Sequence, residues 1–294
     1  MTTIGASLIV KNEEVMLEKC LKSLKGFDEI VVLDTGSTDK TCEIARKFTD
    51  KVYENVYEWN DDFAEARNKA LSYNTTDWVF FIDADEWLGK GAISHIRKAI
   101  PKIKQVASFT AMDNVSQLFK TVRLVKRTPK IYWKGAIHNF LNTLADYDTG
   151  ISLNFGHSPA HTNDPDRAFR ILKKEAYKTK RPREKFYLAR EYGYRKQWIE
   201  AISWYDDYLK EATWGPEMAE ANLQRAKAYW NLGNLKEAQS GALEAIRINA
   251  NFKEAIIYMA AITGPKNSAF WKKAAVSCTN EDVLFIRTCA STQI

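Results

Sequence analysis

Asp83-Ala84-Asp85 sets two carboxylates one residue apart, directly after the apolar run Val79-Phe80-Phe81-Ile82. A continuous apolar run of this length predicts a strand buried on both faces, the usual state in a parallel sheet. Acids at the carboxyl end of such a strand stand where open α/β sheets bind their ligands. There an Asp-x-Asp can hold a hard divalent cation through oxygen, with substrate phosphates in other coordination positions. A polar turn after any strand can look the same, so the meaning of the tripeptide depends on the rest of the chain.

The elements that must position it come in alternation. Ile4–Val10 reads as a first buried strand, and residues 11–14 should open a helix whose Leu17, Leu21 and Leu24 share one face. Glu29–Asp34 predicts a second strand that again ends in an acid. Gly36 supplies a turn, and Ser37 or Thr38 a cap for a helix running to about Phe48. Residues 51–57 suggest a third strand. Asp61 or Asp62 caps a helix that carries Phe63, Ala66, Ala70, Leu71 and the tripeptide Ala66-Arg67-Asn68. Alternating strands and helices, with acids at two carboxyl ends, predict a doubly wound α/β sheet that binds a nucleotide. Neither G-x-G-x-x-G nor G-x-x-x-x-G-K-[ST] occurs, so a pyrophosphate must be held another way, most simply through a metal.

Four stretches, Ser7-Leu8-Ile9-Val10-Lys11-Asn12-Glu13-Glu14, Val32-Leu33-Asp34-Thr35-Gly36-Ser37-Thr38-Asp39, Ala66-Arg67-Asn68 and Asp83-Ala84-Asp85, stand in the order and spacing of family 2 glycosyltransferases. The chain resembles that family over roughly residues 3–160. The resemblance implies a GT-A fold, a nucleotide-sugar donor, most simply UDP-linked, a Mn²⁺ or Mg²⁺ ion, and inversion at the anomeric carbon. It places Asp34 on the uridine and Arg67 on the base or diphosphate. Asp83 would meet the ribose or the metal, and Asp85 would bind the metal. The backbone around Val10 and Lys11 would line the base, with Glu13 and Ala84 beside the donor. Thr35 stands where many members carry a second Asp. Two plain structural readings compete: Arg67 pairing with Glu65 or Asp62 on a helix face, and Asp34 starting a turn.

Beyond the Asp-x-Asp, residues 93–100 predict a short helix, and residues 106–112, 121–125 and 131–133 read as strands framing an acceptor site. In related enzymes with helical-repeat tails a Trp/Tyr-x-Gly-x-x-His-Glu pattern follows, whose acid is a candidate base. Here Trp133-Lys134-Gly135-Ala136-Ile137-His138 matches, and Asn139 replaces the Glu. An inverting transfer to a hydroxyl benefits from a group that takes its proton. His138, Asp113, Asp146 and Asp148 are the candidates, and a thiol acceptor would need less help. Residues 151–157 predict a last strand ending in His157, with His161 close behind. A histidine after the final strand often completes the metal shell in GT-A enzymes, and imidazole suits Mn²⁺.

From Asp164 the pattern turns helical, giving an expected division into a catalytic domain, 1–163, and a helical domain, 164–294. Ala189, Tyr192, Ala201 and Tyr205 recur 37 residues later as Ala226, Tyr229, Ala238 and Ala242. That is the 34-residue tetratricopeptide period with a short insertion near Trp214-Gly215-Pro216. Gly233-Asn234 marks an inter-helix turn, residues 255–275 a degenerate third unit, and the C-terminus a capping helix. Tyr192, Trp198, Trp204 and Tyr205 read as packing residues. Such an array leaves a concave face for an acceptor peptide or protein, or for self-association.

The 294 residues carry 45% hydrophobic and 27% charged side chains and a net charge of +6. This describes a globular protein friendly to an anionic nucleotide, without the footprint of a dedicated nucleic-acid binder, although a modified base as acceptor stays open. Cys20, Cys42, Cys278 and Cys289 form no C-x-x-C pair and read as reduced thiols, and no signal-type or bilayer-length apolar segment is visible, so a cytoplasmic protein is expected. The competing functional class is a non-catalytic tetratricopeptide scaffold with a degenerate glycosyltransferase domain, and donor turnover separates the two.

Overall fold

The computed structural model of the chain describes residues 2–112, 118–159 and 164–279. Asp113, His161, Cys289 and most of the expected C-terminal cap lie outside the described residues. Contacts divide the chain into two compact units, Met1–Arg167 and Ala168–Ile294.

The first unit is built on β1 (Ile4–Val10), α1 (Leu17–Ser23), β2 (Glu29–Asp34), α2 (Thr41–Arg46), β3 (Val52–Tyr53), α3 (Phe63–Tyr73), β4 (Trp78–Phe81), β5 (Glu86–Leu88), α4 (Ala92–Ala99), β6 (Val106–Met112), β7 (Leu118–Lys126), β8 (Trp133–Lys134), β9 (Phe140–Leu141) and β10 (Tyr147–Phe155). Among the described residues eight strands form one sheet in the order β3-β2-β1-β4-β7-β6-β10-β5, while β8 and β9 pair separately. β3, β2, β1 and β4 run parallel. β7 is antiparallel to β4 and β6, and β5 is antiparallel to β10. β10 runs parallel to β6, so the sheet is mixed, with β7 and β5 the strands that run against the others.

Val79, Phe80, Phe81 and Ile82 are all buried, as a run apolar on both faces requires. Each such side chain contributes roughly 1.5–3 kcal/mol relative to exposure, so the strand must stop where the acids begin. From Phe81 to Glu86 the chain advances five residues, at most about 17 Å. Four strand spacings across a flat sheet would be about 19 Å. The sheet consequently curls, which brings β5 round to the same edge as the Asp-x-Asp.

Several local expectations shift. The helix expected from residue 11 starts at Leu17, still burying Leu17, Leu21 and Leu24. Ser37 and Thr38 cap nothing, and α2 begins at Thr41, whose N–H donates to Asp39 Oδ1 (2.9 Å). The third strand shrinks to two residues because it lies at the sheet edge with one partner and Asn55 turns to φ 56°. Asp62, and not Asp61, caps α3 by accepting from the Glu65 N–H (2.9 Å).

The second unit is helical: α5 (Arg167–Thr179), α6 (Pro182–Tyr194), α7 (Trp198–Leu209), α8 (Gly215–Asn231), α9 (Leu235–Ile248), α10 (Lys253–Ile262) and α11 (Pro265–Val276). The 37-residue repeat is structural. Gln197 N–H donates to the Tyr192 carbonyl and Asn234 N–H to the Tyr229 carbonyl, both at 2.9 Å, closing equivalent turns around Lys196 (φ 58°) and Gly233 (φ 81°). Ala189, Ala201, Ala226, Ala238 and Ala242 are fully buried, since small residues let neighbouring helices approach. Gly241 carries this furthest, because a Cβ there would lie 3.1 Å from the Ala226 Cβ. Tyr192 and Tyr205 are buried, and Trp204 is T-stacked with the Tyr177 ring (5.3 Å). Among the described residues no helix is long and apolar enough to cross a membrane, and Cys20, Cys42 and Cys278 are free thiols.

Candidate active site

The carboxyl ends of β1, β2, β4, β6 and β10 share one edge of the sheet, and the sequence-predicted donor residues gather there. β1 lies between β2 and β4, with Val10 opposite Asp34 and Ser7 opposite Phe81. The loops after β1 and β2 are stitched together reciprocally. Asn12 N–H donates to Ser37 Oγ (2.9 Å), Thr38 N–H to Asn12 Oδ1 (2.8 Å), and Glu13 N–H to Thr41 Oγ1 (2.7 Å). Thr35 donates both its N–H (2.9 Å) and its hydroxyl (3.1 Å) to the Val10 carbonyl. A hydroxyl at this position thus joins the two loops, which accounts for Thr35 in place of an acid. Asp34 is buried, and its Oδ2 accepts from the Gly36 and Ser37 N–H groups (3.0 Å each). Asp34 does start the turn, with Gly36 at φ 105°. Lys11 is exposed beside this loop pair, while Val10 and Glu13 are buried.

Arg67 does not pair with Glu65 or Asp62. From α3 its Nη2 reaches Asp83 Oδ1 (2.6 Å), and its guanidinium lies over the Trp133 ring, 5.1 Å from the centroid. Asn68 holds the Trp133 backbone in both directions, donating to its carbonyl (3.0 Å) and accepting from its N–H (2.8 Å). The tripeptide therefore ties the Asp-x-Asp to the β8–β9 hairpin, and the Phe63 N–H to the Ala136 carbonyl (2.8 Å) adds a second tie.

Two residues that motif reading passed over complete the arrangement. Arg123 on β7 donates through Nη2 to Glu86 Oε1 (2.5 Å) and more weakly to Asp83 Oδ2 (3.5 Å). Glu86 Oε2 accepts from the Asp83 N–H (2.9 Å). Burial pushes the Glu86 carboxyl up to about 7, with Arg123 pulling it back and Asp83 adding to the rise. Burial also works against the Arg123 charge, but Glu86 and then Asp83 outweigh it and raise its pKa further. Both residues had a sequence signal. Glu86 extends the acidic run, and Arg123 is a lone charge inside the apolar strand Thr121-Val122-Arg123-Leu124-Val125.

Asp85 is buried, as is Ala84. The Asp85 carbonyl accepts from the Gly156 N–H (2.8 Å), continuing the β5–β10 pairing in which Phe155 faces Glu86. A Cβ at Gly156 would come within 2.8 Å of the Met16 Cε, the movable end of a flexible side chain, and 3.5 Å of the Trp87 ring, so the approach favours a small residue. His157, exposed, follows directly. The backbone thus carries His157 to the Asp-x-Asp edge across some seventy residues of chain. Carboxylate donors suit Mn²⁺ or Mg²⁺ in kind, an imidazole suits Mn²⁺ rather than the harder Mg²⁺, and Mg²⁺ needs only one or two protein carboxylates besides substrate phosphates. Among the described residues, no three His, Cys, Asp or Glu side chains come together as a metal-holding group, so Asp83, Asp85 and His157 do not form a preassembled triad.

The candidate bases separate. His138 is exposed at the tip of the β8–β9 hairpin, at φ 46° between Gly135 (φ 86°) and Asn139. Asp146 and Asp148 lie at or before the start of β10, the opposite edge of the sheet. Asp146 accepts from the N–H groups of Lys104, Gln105 and Val106 (2.9, 2.8 and 3.0 Å), and Asp148 pairs with Lys120 (2.5 Å). Both carboxylates serve the fold there.

The family model described as Glycosyl transferase family 2 matches residues 7–160. The chain belongs to that family. Among its relatives is the glycosyltransferase SunS of Bacillus phage SPbeta, 30% identical over a 234-residue alignment that covers 71% of this chain and 53% of SunS. A TPR repeat-containing protein of Synechococcus elongatus is 33% identical over 148 residues, 48% of this chain and 36% of its own. This family 2 chain spans about half the length of the SunS relatives it matches. Its fold is similar to that of S. aureus TarS 1–349 in complex with UDP-GlcNAc, with a TM-score of 0.53 at 13% identity, covering 84% of this chain and 91% of the other.

Proposed function

We propose that this chain transfers a sugar from a UDP-linked donor to a nucleophile on an acceptor (a protein or peptide side chain, a glycan or a modified nucleic-acid base), inverting the anomeric carbon. Residues 1–163 would carry the transfer and residues 164–294 would recognise the acceptor. The observation that carries the reading is Asp83, gripped by Arg67 at the carboxyl edge of β4 in a family 2 domain. Open α/β sheets bind ligands at that edge. A neighbour of the same fold holds UDP-GlcNAc, which makes uridine nucleotides the first to test.

The joined loops after β1 and β2, with Asp34, Val10, Lys11 and Glu13, would receive the nucleoside. Asp83 would meet the ribose and Arg67 the diphosphate side. Asp85 and His157 would hold Mn²⁺ or Mg²⁺, which when bound neutralises charge on the departing diphosphate. His138 would take the acceptor proton, the hairpin beneath it being tied to α3 through Asn68 and Phe63. The test is the unfolding midpoint with UDP and UDP-sugars, with and without Mn²⁺, followed by donor turnover. A true donor raises the midpoint by mass action. No shift and no turnover with any nucleotide sugar would sink the reading.

A further inference from the structure

Arg123 belongs to none of the recognised motifs, yet it closes a ring around Asp83. The Asp83 N–H donates to Glu86 Oε2, Glu86 Oε1 accepts from Arg123 Nη2, and the same Nη2 approaches Asp83 Oδ2. Arg67 takes the other oxygen, Oδ1. The two oxygens of one carboxylate are thus assigned to guanidinium groups from different elements, α3 and β7. Exposure is uneven across this network. The side chains of Arg67 and Arg123 are 10% exposed and that of Glu86 7%, whereas Asp83 exposes 34%. The network opens to solvent through Asp83, where a ligand can reach it.

An ion pair kept only for folding has no need to share its cation with a half-exposed carboxylate. We infer that Arg123 is a positioning residue for the nucleotide-sugar donor: through the ring with Glu86 it holds the Asp83 carboxylate in the orientation that receives the donor. The inference rests on Asp83 contacting the donor. Arg67 and Arg123 divide the work, Arg67 holding Oδ1 from the helix and Arg123 bracing the carboxylate from within the sheet. A lysine at position 123 keeps the charge but replaces the rigid planar guanidinium, whose Nη2 meets both carboxylates, with an ammonium on a flexible stem.

The test is UDP affinity by calorimetry on the full chain with Mn²⁺, alongside the unfolding midpoint. Arg123→Lys is expected to weaken UDP binding about 10- to 100-fold. The double variant Glu86→Gln/Arg123→Met removes both buried charges and keeps an acceptor for the Asp83 N–H. It should recover most of the midpoint lost in Arg123→Met alone without recovering UDP affinity. In an Asp83→Asn background, Arg123→Lys should change affinity little further, a non-additivity that a merely structural residue would not show. Wild-type affinity in either Arg123→Lys or the double variant, or additive losses in the Asp83→Asn background, overturns the inference. If a variant does not fold, the Arg123→Lys cycle with Asp83→Asn decides alone, because lysine leaves Glu86 a cation. A wild-type chain that binds no UDP defeats the donor reading itself, a different result from a wild type that binds and variants that match it.

Discussion

The two edges of the main sheet carry similar numbers of carboxylates and use them differently. At the amino-terminal edge, Asp28 accepts from the Ile4 N–H (2.7 Å), Asp77 from the Thr3 N–H (2.9 Å), and Asp146 from three successive N–H groups. Glu29 is held by Lys51, Asn74 and Thr75. These acids tie loops to strand starts. At the carboxyl edge, Asp83 and Glu86 are held chiefly by arginine side chains, one of them stacked on Trp133. A backbone N–H is fixed in place, whereas a guanidinium can rearrange around an arriving phosphate or ribose and carries the charge to attract it. The contrast is that of Asp83 and Glu86 with Asp77 and Asp146; Asp34 at the carboxyl edge is held by backbone N–H groups, and Asp28 at the other edge also meets Arg97 (3.0 Å).

The largest expected effect comes from the carboxyl edge. Asp85→Asn should lower donor turnover by about 10²–10³-fold while the circular dichroism spectrum and unfolding midpoint stay near wild type. Retained turnover would break the assignment of this edge to catalysis. Arg67→Met should weaken UDP binding by about 10- to 100-fold, because Asp83 then loses its 2.6 Å contact to Arg67, while the contact to Arg123 is longer, at 3.5 Å. Unchanged affinity would mean that the arginine grip is as structural as the loop ties opposite.

At the amino-terminal edge the expected signs reverse. Asp146→Ala should cost roughly 1 kcal/mol of stability and leave turnover intact. Lost turnover in a stable variant would erase the contrast between the edges. The smallest effect is on acid sensitivity. Burial pushes the Asp146 carboxyl up, but its backbone N–H donors outweigh this and hold it below the ordinary 3.8; Thr3 does the same for Asp77. Above 3.8 both folded and unfolded chains are deprotonated and this contribution is complete. As pH falls below 3.8 the unfolded chain takes protons first, and the contribution is lost on passing through the folded values. Denaturant midpoints measured from about pH 5 to pH 3 should therefore fall less steeply for Asp146→Ala than for wild type.

Where a signal was local, it was legible. β1, β2 and β6 occupy the residues their apolar runs indicated, and the Asp62 cap starts α3. The 37-residue recurrence of small and aromatic residues mapped onto α6–α7 and α8–α9. Three-residue β5 was not legible, because its partner, β10, lies more than sixty residues on and its own length carries no periodicity. Asp146 looked like a candidate base for the same reason: sequence shows a carboxylate near an active-site segment but not which edge of the sheet it faces.

By itself, the sequence determined the family, the alternation of elements, the helical repeat and the Asp-x-Asp at a strand end, since each rests on residue type and spacing within one segment. Only the tertiary structure decided that Arg123 and Glu86 close on Asp83, that Gly156 brings His157 to the same edge, and that Asp146 and Asp148 belong to the opposite one. Those facts depend on strand order and direction. Pairing between distant segments is set by how the whole sheet buries its apolar faces.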